Sequence, residues 1–594
     1  MGLLLVLPLV FSRGFAEQFS YPKIFLTQVL IIVGLAAWAL GLMWGKLVWP
    51  QPFRLGPPLA LLAIAVLLSS KNSPVPVFSL HESVYFLCGP AWVLLLVSWG
   101  KGEGEGALAR LARLAALAGA VVAAIALLQW AGHDPLLYGG YRIDWGKMVA
   151  RMRMYATFGN PNFVAGYLIG TIILALALGA AASKLWLRAS WWAAAAAMLA
   201  AIVSAGSRGA WGGLAAGLLV AGLVWKPWSM RPPATLGAPA EKERRSAQVR
   251  GVVAPTAVTL VTLFGGSLIN VLGRLEGRTY LWRFSWPMFA EHPLLGSGWG
   301  AYQLRYLELQ ARFLAAHPDL TVYWTNNRLL HNDPLQLLLE TGMLGFGAFA
   351  WLLWTYGREA RTVLGAAESP TTRLWLAAGA GGVTAMLVDS FFNFQFAIPP
   401  TFLLIFTLLA FPAVAAASHA RVGEDRNLSR PCRDGPPGKK TTGGAQGTSP
   451  TYRALRLLTS VAVLVSAAAL LLQRTRFAGA ERDYRSGMLL EDRGEVTQAE
   501  QTYRHGSALN PLNGRLHFAL ARVLYETERY PEAREEVLLA ERTYADSHTW
   551  VLKGYVQEKM GMVEPALETF RHALALDPTL KSPVVEIEKL EKEK

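Results

Sequence analysis

Ser204-Ala205-Gly206-Ser207-Arg208-Gly209 interrupts an apolar stretch that otherwise runs from Trp191 to Trp225. As one helix that stretch would measure about 50 Å, well beyond the roughly 30 Å of bilayer hydrocarbon. It must fold back, and the small residues of the hexapeptide supply the turn. The same pattern of apolar runs and short polar breaks fills most of the chain. Hydrophobic residues make up 53% of the sequence and charged residues 16%, with 21 Trp. This is the composition of an all-α, polytopic membrane protein.

Runs long enough to cross lie near 1–11, 23–44, 56–70, 83–99, 107–130, 162–182, 190–204, 209–226, 252–270, 335–356, 374–394, 398–418 and 455–473. They predict a helical bundle of about 12–13 transmembrane helices. The first run has no basic leader before it, which argues against a signal peptide and for a shortened first span. The net charge of +15 sits in loops between these runs, so it reports topology and gives no reason to expect nucleic acid. Lys46 with Arg54, Lys101 with Arg110 and Arg113, and Lys184 with Arg188 fall in alternate loops. So do the segments 226–250, 358–373 and 421–456. The positive-inside rule puts these six on the cytoplasmic side and the segments 71–82, 131–158, 204–209, 271–333 and 395–398 outside.

Residues 1–418 form the membrane domain, with 271–333 as its large outer loop. The Pro/Gly/Lys-rich stretch 419–454 is expected to be a disordered cytoplasmic linker. A further transmembrane helix at 455–473 then carries the tail 480–594 outward. Ala499, Ala533 and Ala566 stand 34 and 33 residues apart, the tetratricopeptide period. Gly487, Tyr503, Gly554, Phe570 and Pro578 fall near the repeat's marked positions, so an α-solenoid that binds a protein partner is expected. Of the two cysteines, Cys88 lies in an apolar run and Cys432 in the linker, so neither a disulfide nor a cysteine metal site is expected.

Several outer-face residues carry chemistry. Arg208 would cost about 2.5–3.5 kcal/mol in lipid, so it faces a cavity or the headgroup layer. There it acts either as a phosphate clamp or as an interfacial anchor. Arg274, Arg278 and Arg283 open the large outer loop. Gly296-Ser297-Gly298-Trp299-Gly300 follows no strand and opens no βαβ unit, so it is turn rather than nucleotide loop. His331-Asn332-Asp333-Pro334 starts an apolar helix, and a neutral imidazole there can take a proton from a hydroxyl, worth roughly 10²–10⁴ in rate. The alternative is a helix-start histidine that only bonds backbone. His292, His317 and His331 lack the spacing of a metal site. Arg153 is a candidate contact to donor sugar or phosphate, or an anchor. Asp389 is an intramembrane carboxylate and a candidate partner for an arginine. Trp299 and Tyr302 are candidates to stack on sugar or to belong to an interface belt.

Together these motifs resemble the bacterial O-antigen ligase and polymerase superfamily. The residues that carry the likeness are Ser207-Arg208-Gly209, Gly277-Arg278 with Trp282, and His292-Pro293-Leu294-Leu295-Gly296. His331-Asn332 with Leu335-Gln336 and Glu340-Thr341-Gly342 comes next, and Thr157-Phe158-Gly159-Asn160-Pro161-Asn162 adds to it. The resemblance covers about residues 1–418. It implies a metal-independent, cofactor-free glycosyltransferase of the bacterial inner membrane, acting in surface polysaccharide (lipopolysaccharide) biosynthesis. Such an enzyme moves a glycan from undecaprenyl diphosphate to an acceptor hydroxyl at the periplasmic face, where the repeats also lie. By the same matching, Arg208 and Arg278, with Arg153 as a further contact, would hold the diphosphate and His331 would be the base. The acceptor stays open between lipid A-core, glycan (a polymerase) and protein (an oligosaccharyltransferase). A non-enzymatic membrane scaffold presenting the repeats is the contrasting class, and a transporter is a third.

Overall fold

The computed structural model describes residues 1–594 except 48, 51–52, 104–105, 137–153, 226–275, 368, 429–449 and 593–594. Among the described residues there is no strand. The membrane body opens with α1 (Tyr21–Met43), α2 (Gly56–Ser69), α3 (Pro76–Glu103), α4 (Ala107–Trp130), α5 (Pro161–Ala181), α6 (Leu185–Ala205) and α7 (Arg208–Trp225). Three short helices, α8 (Glu276–Ser285), α9 (Pro287–Glu291) and α10 (Tyr302–Ala316), build the polar segment. The body closes with α11 (Asp333–Ala366), α12 (Pro370–Ser390) and α13 (Pro399–Leu428). Nine helices among the described residues are long and apolar enough to cross a membrane.

The fold-back lies where the hexapeptide demanded it. Gly206 adopts φ 65° between α6 and α7, a left-handed conformation that glycine enters without steric cost. The expected first span is different. Leu3–Val6 makes a single helical turn that tightens to a 3-10 turn at Leu7–Leu9. Pro8 has no N–H to extend the ladder, and Leu3, Leu4 and Leu7 are buried in the bundle instead. The expected span 252–270 lies outside the described residues.

The core is an apolar cluster centred on α13, with Phe402, Phe406 and Phe411 fully buried. One helix pair comes closer than large side chains allow. A Cβ at Gly213 would sit 2.3 Å from the Ala385 carbonyl oxygen, and one at Gly217 2.5 Å from that of Gly381. Small residues four apart on α7 thus let it lie directly on the backbone of α12, the way helices associate where lipid removes any hydrophobic drive.

α11 is two helices rather than one. Gly342 has φ 63° and ψ −167°, breaking the ladder inside an apparently continuous apolar run. The freed groups find partners in the glycine-rich turn after α9. Met343 and Leu344 donate to the carbonyls of Pro293 and Leu294 (2.8 and 3.1 Å), while Ser297 and Gly298 donate to those of Leu339 and Glu340 (3.1 and 3.0 Å). Gly296, Gly298 and Gly300 all have positive φ, consistent with the turn expected there. Backbone at membrane depth tolerates such a break only when its polar groups are satisfied in this way.

The linker 419–454 is helical at both ends. α13 continues to Leu428, and α14 (Pro450–Glu491) begins at Pro450. At 42 residues α14 is about 63 Å long, so the expected 455–473 span runs without interruption into the first repeat. The continuation has a physical basis: no Pro or Gly breaks α14 between Pro450 and Gly479. The tail then alternates α15 (Val496–Leu509), α16 (Gly514–Glu526), α17 (Tyr530–Thr543), α18 (Ser547–Lys559), α19 (Val563–Leu576) and α20 (Ser582–Lys592). Ala499, Ala533 and Ala566 are fully buried, and Gly554 lies against the ring of Phe570. These are tetratricopeptide-like helical repeats.

The repeats dock on the polar segment. Trp324 Nε1 donates to the Leu576 carbonyl (2.9 Å), Tyr306 to that of Ala545 (3.3 Å), and Arg328 pairs with Asp546 (3.4 Å). Segment and repeats therefore occupy the same side of the bundle. Substituting Gly342 by Val forces a β-branched residue to positive φ, costing about 1–3 kcal/mol, and drives its Cβ onto the Leu294 carbonyl. Gly342→Val is expected to melt several degrees below wild type in detergent, whereas Gly347→Ala, at a site with open space, is expected to match wild type. Equal melting of the two would contradict the splinted break.

Candidate active site

A buried carboxylate, Asp389, ends α12 and shapes the connector to α13. Asn393 Nδ2 donates to its Oδ1 at 2.7 Å, and Gln395 Nε2 donates to its Oδ2. Asp389 is fully buried, and hydrogen bonds from both amides are what make a buried carboxylate tolerable. They also curl the connector Phe391-Phe392-Asn393-Phe394-Gln395-Phe396 back over the end of α12. Asp333, at the start of α11, fixes the far end by accepting the Phe396 N–H at 3.1 Å.

The connector then touches each predicted element. Phe392 lies under the Arg278 guanidinium, 5.8 Å from its ring centre. Phe394 meets the His331 ring edge-on at 4.7 Å and, on another side, Phe163 at 5.0 Å. Phe163 belongs to the Asn160-Pro161-Asn162 motif, where Asn160 caps α5 by accepting from the Asn162 N–H at 2.8 Å. Gly209 packs against Asp389 so closely that a Cβ would sit 2.5 Å from Oδ1, and Arg208 precedes it in the chain. Arg208 is exposed at the first position of α7.

His331 is held in an unusual conformation. Its φ of 55° is left-handed, worth about 1–3 kcal/mol of strain in a non-glycine residue. Its neighbours fix it there. Trp282 Nε1 donates to the Leu330 carbonyl, the Leu330 N–H donates to Gln336 Oε1 (both 3.3 Å), and Asn332 caps α11 through the Leu335 N–H at 2.9 Å. The cap leaves the ring free of the backbone-bonding role that was its alternative. Among the described residues neither ring nitrogen has a hydrogen-bond partner.

The electrostatics favour an uncharged imidazole. Burial, and then the Arg278 charge, hold His331 down at about 4. Burial also lowers Arg278, opposed by the charge of Asp389. Among the described residues neither Arg208 nor Arg278 makes a salt bridge. The site thus sets an uncharged imidazole near a guanidinium that, among the described residues, forms no salt bridge. Among the described residues no three His, Cys, Asp or Glu side chains are grouped to hold a metal ion.

Two other residues are expected at the site. Arg153 lies outside the described residues. Tyr302 is fully buried beside Tyr306 in the core of the polar segment, so it is not a platform for sugar. Sequence reasoning missed Phe392, Asn393, Phe394 and Gln395, because their aromatic composition looks like one more membrane run. The amides so close to Asp389 were the available signal.

Residues 193–350 match the family model described as O-antigen ligase, a range that includes Arg208, Arg278 and His331. No curated protein matches the chain. Among solved structures, the crystal structure of the APC/C hetero-tetramer Cut9-Hcn1 matches at 12% identity over 87% of this chain and 88% of that one. Its TM-score of 0.19 carries no structural conclusion.

Removing the carboxylate should loosen the whole connector. Asp389→Ala leaves two buried amides unpaired, at about 1–3 kcal/mol each, while Asp389→Asn keeps one acceptor. The expected order of melting temperatures is wild type, then Asn, then Ala. An Ala variant that melts with wild type would mean that Asp389 does not organise the connector.

Proposed function

We propose, on the premise that residues 193–350 carry an O-antigen ligase domain, that this membrane glycosyltransferase-type protein moves a glycan from undecaprenyl diphosphate to an acceptor hydroxyl at the periplasmic face of the inner membrane. The observation that supports the reading is the meeting of Arg278 and His331 on one connector, against which Gly209, the neighbour of Arg208, also packs. Arg208 and Arg278 bind the diphosphate, whose oxygens match the guanidinium fork, at about 1.5–3 kcal/mol for each charge-assisted contact. His331 takes the proton of the acceptor hydroxyl as its oxygen bonds to the anomeric carbon. The bond from that carbon to the phosphate oxygen breaks, and the carrier diphosphate leaves with its charge on the two arginines.

The low basicity of His331 fits this order of events. Arg278 is one of the two causes that depress it, after burial. A diphosphate bound to Arg278 offsets that charge, so the imidazole becomes a stronger base once the donor is seated. Both the free enzyme and the donor complex are therefore active at neutral pH.

Two measurements test the reading. In a deletion strain, His331→Ala made at wild-type level in the membrane should leave carrier-linked glycan unused, a loss of at least ~100-fold in transfer. Full restoration of every surface glycan would favour a scaffold. Because the base works when neutral and its free-enzyme value is about 4, kcat/KM is expected to stay level from about pH 8 to about 5 and to fall only towards 4. The acid limb of kcat should lie at higher pH than that of kcat/KM. A kcat/KM that halves near pH 6.5, the ordinary histidine value, would assign the titration to another group.

A further inference from the structure

A cavity of about 570 Å³ lies between the membrane body and the docked repeats. That volume is in the usual range of small-molecule sites, roughly 300–1,000 Å³. Asn510, Leu512, Asn513, Arg515, Thr543 and Tyr544 form its repeat-side wall. The opposite wall comes from α3, α11 and the connector, including Tyr85, Asp333, Gln336 and Phe394. Phe394 is the same ring that His331 touches at 4.7 Å. The cavity therefore ends on the ring that packs against the candidate base, and Arg278 is not among the residues that line it.

Its charge is unlike that of the arginine side. Glu17, Glu82, Asp333, Glu340 and Glu481 line it, against three arginines. Those arginines already have partners. Arg515 pairs with Glu17 (2.7 Å) and Glu481 (2.9 Å), Arg328 with Asp546 (3.4 Å), and Arg474 contacts His81 Nε2 at 2.8 Å. A phosphorylated ligand would therefore find none of the three arginines without a partner. Polar capacity is nevertheless in excess. Tyr85 Oη, Glu340 Oε2, Glu481 Oε2, Thr543 Oγ1 and Arg474 Nε are buried without a hydrogen-bond partner among the described residues, all on residues that line the cavity. Each such atom costs about 1–3 kcal/mol unless something satisfies it. Donors and acceptors between aromatic walls, without net positive charge, suit a chain of hydroxyl groups.

We propose that this cavity is the acceptor subsite, that it takes the end of a neutral saccharide rather than a phosphorylated one, and that the repeats supply one of its walls. The proposal rests on the transferase reading above. It gives the repeats a part in substrate binding within this chain.

The test uses full-length protein in nanodiscs with its carrier-linked donor. Neutral oligosaccharides of two to four sugars, released from the producing strain's surface glycan, serve as one acceptor and lipid A-core as the other. Leu512→Trp fills the cavity from the repeat wall, Gln303→Trp fills it from α10, whose Gln303 also lines it, and Leu512→Ala opens it. Each Trp variant is expected to raise the KM for the neutral acceptor at least tenfold with the donor KM within twofold, while Leu512→Ala stays close to wild type. Unmoved acceptor KM in both Trp variants, or lipid A-core as the better acceptor for wild type, overturns the proposal. If His331→Ala is inactive in the same assay, the transferase reading survives that failure. If His331→Ala transfers normally, the reading itself has failed.

Discussion

Two amides on one buried carboxylate hold the centre of this molecule together. Asp389 has no lysine or arginine within salt-bridge distance among the described residues, so Asn393 and Gln395 must satisfy it. To reach it they curl the connector between α12 and α13, and that curl presents Phe392 and Phe394 to the polar segment. Arg278, His331 and the Asn160 motif are each placed by an aromatic face rather than by a hydrogen bond to one another. Such an arrangement fixes positions while leaving the polar ends of the side chains available to a ligand. The close approach of α7 to α12 completes it, since Gly209 lies directly against Asp389 and Gly213 and Gly217 lie against the α12 backbone.

A second constraint sets the height of the histidine. The break at Gly342 divides α11 into a first part of about 13 Å and a long second part. The first part carries His331 at its mouth and is tied to the turn at Pro293–Gly298 by two backbone hydrogen bonds, and two more tie the start of the second part to the same turn. The His-Pro-Leu-Leu-Gly motif thus splints the break through its backbone carbonyls. The repeats, continuous with α14, close over the same segment through Arg328, Trp324 and Tyr306.

Much of this is legible in the sequence because it depends on local chemistry. The turn at Gly206 and the alanine period follow from residue type and spacing, while Arg208, Arg278 and His331 are singled out among the outer-face residues by the family resemblance. The break at Gly342 does not, since a glycine inside an apolar run reads as a tolerated small residue until its hydrogen-bond partners, some 45 residues earlier in the chain, are known. The connector is hidden for a similar reason: four phenylalanines in six residues read as membrane. Gly209, Gly213 and Gly217, like Gly381 and Ala385, are visible in the sequence as small residues four apart. Hydropathy alone does not say which helix such a ladder faces, so the α7–α12 contact emerges only from the fold. The linker is shorter at both ends than its composition suggests, because composition does not show where α13 stops and α14 starts.

In the proposed transferase, Arg208 and Arg278 face one anion beside His331. Binding of undecaprenyl diphosphate, the carrier without its glycan, to the full-length protein in nanodiscs tests it most directly. Arg208→Ala and Arg278→Ala are each expected to weaken binding about tenfold or more, the equivalent of one charge-assisted contact. Arg305→Ala, whose guanidinium pairs with Glu291 at 2.6 Å, should leave it unchanged. Equal affinity in all three variants and wild type would contradict a shared diphosphate site at the connector.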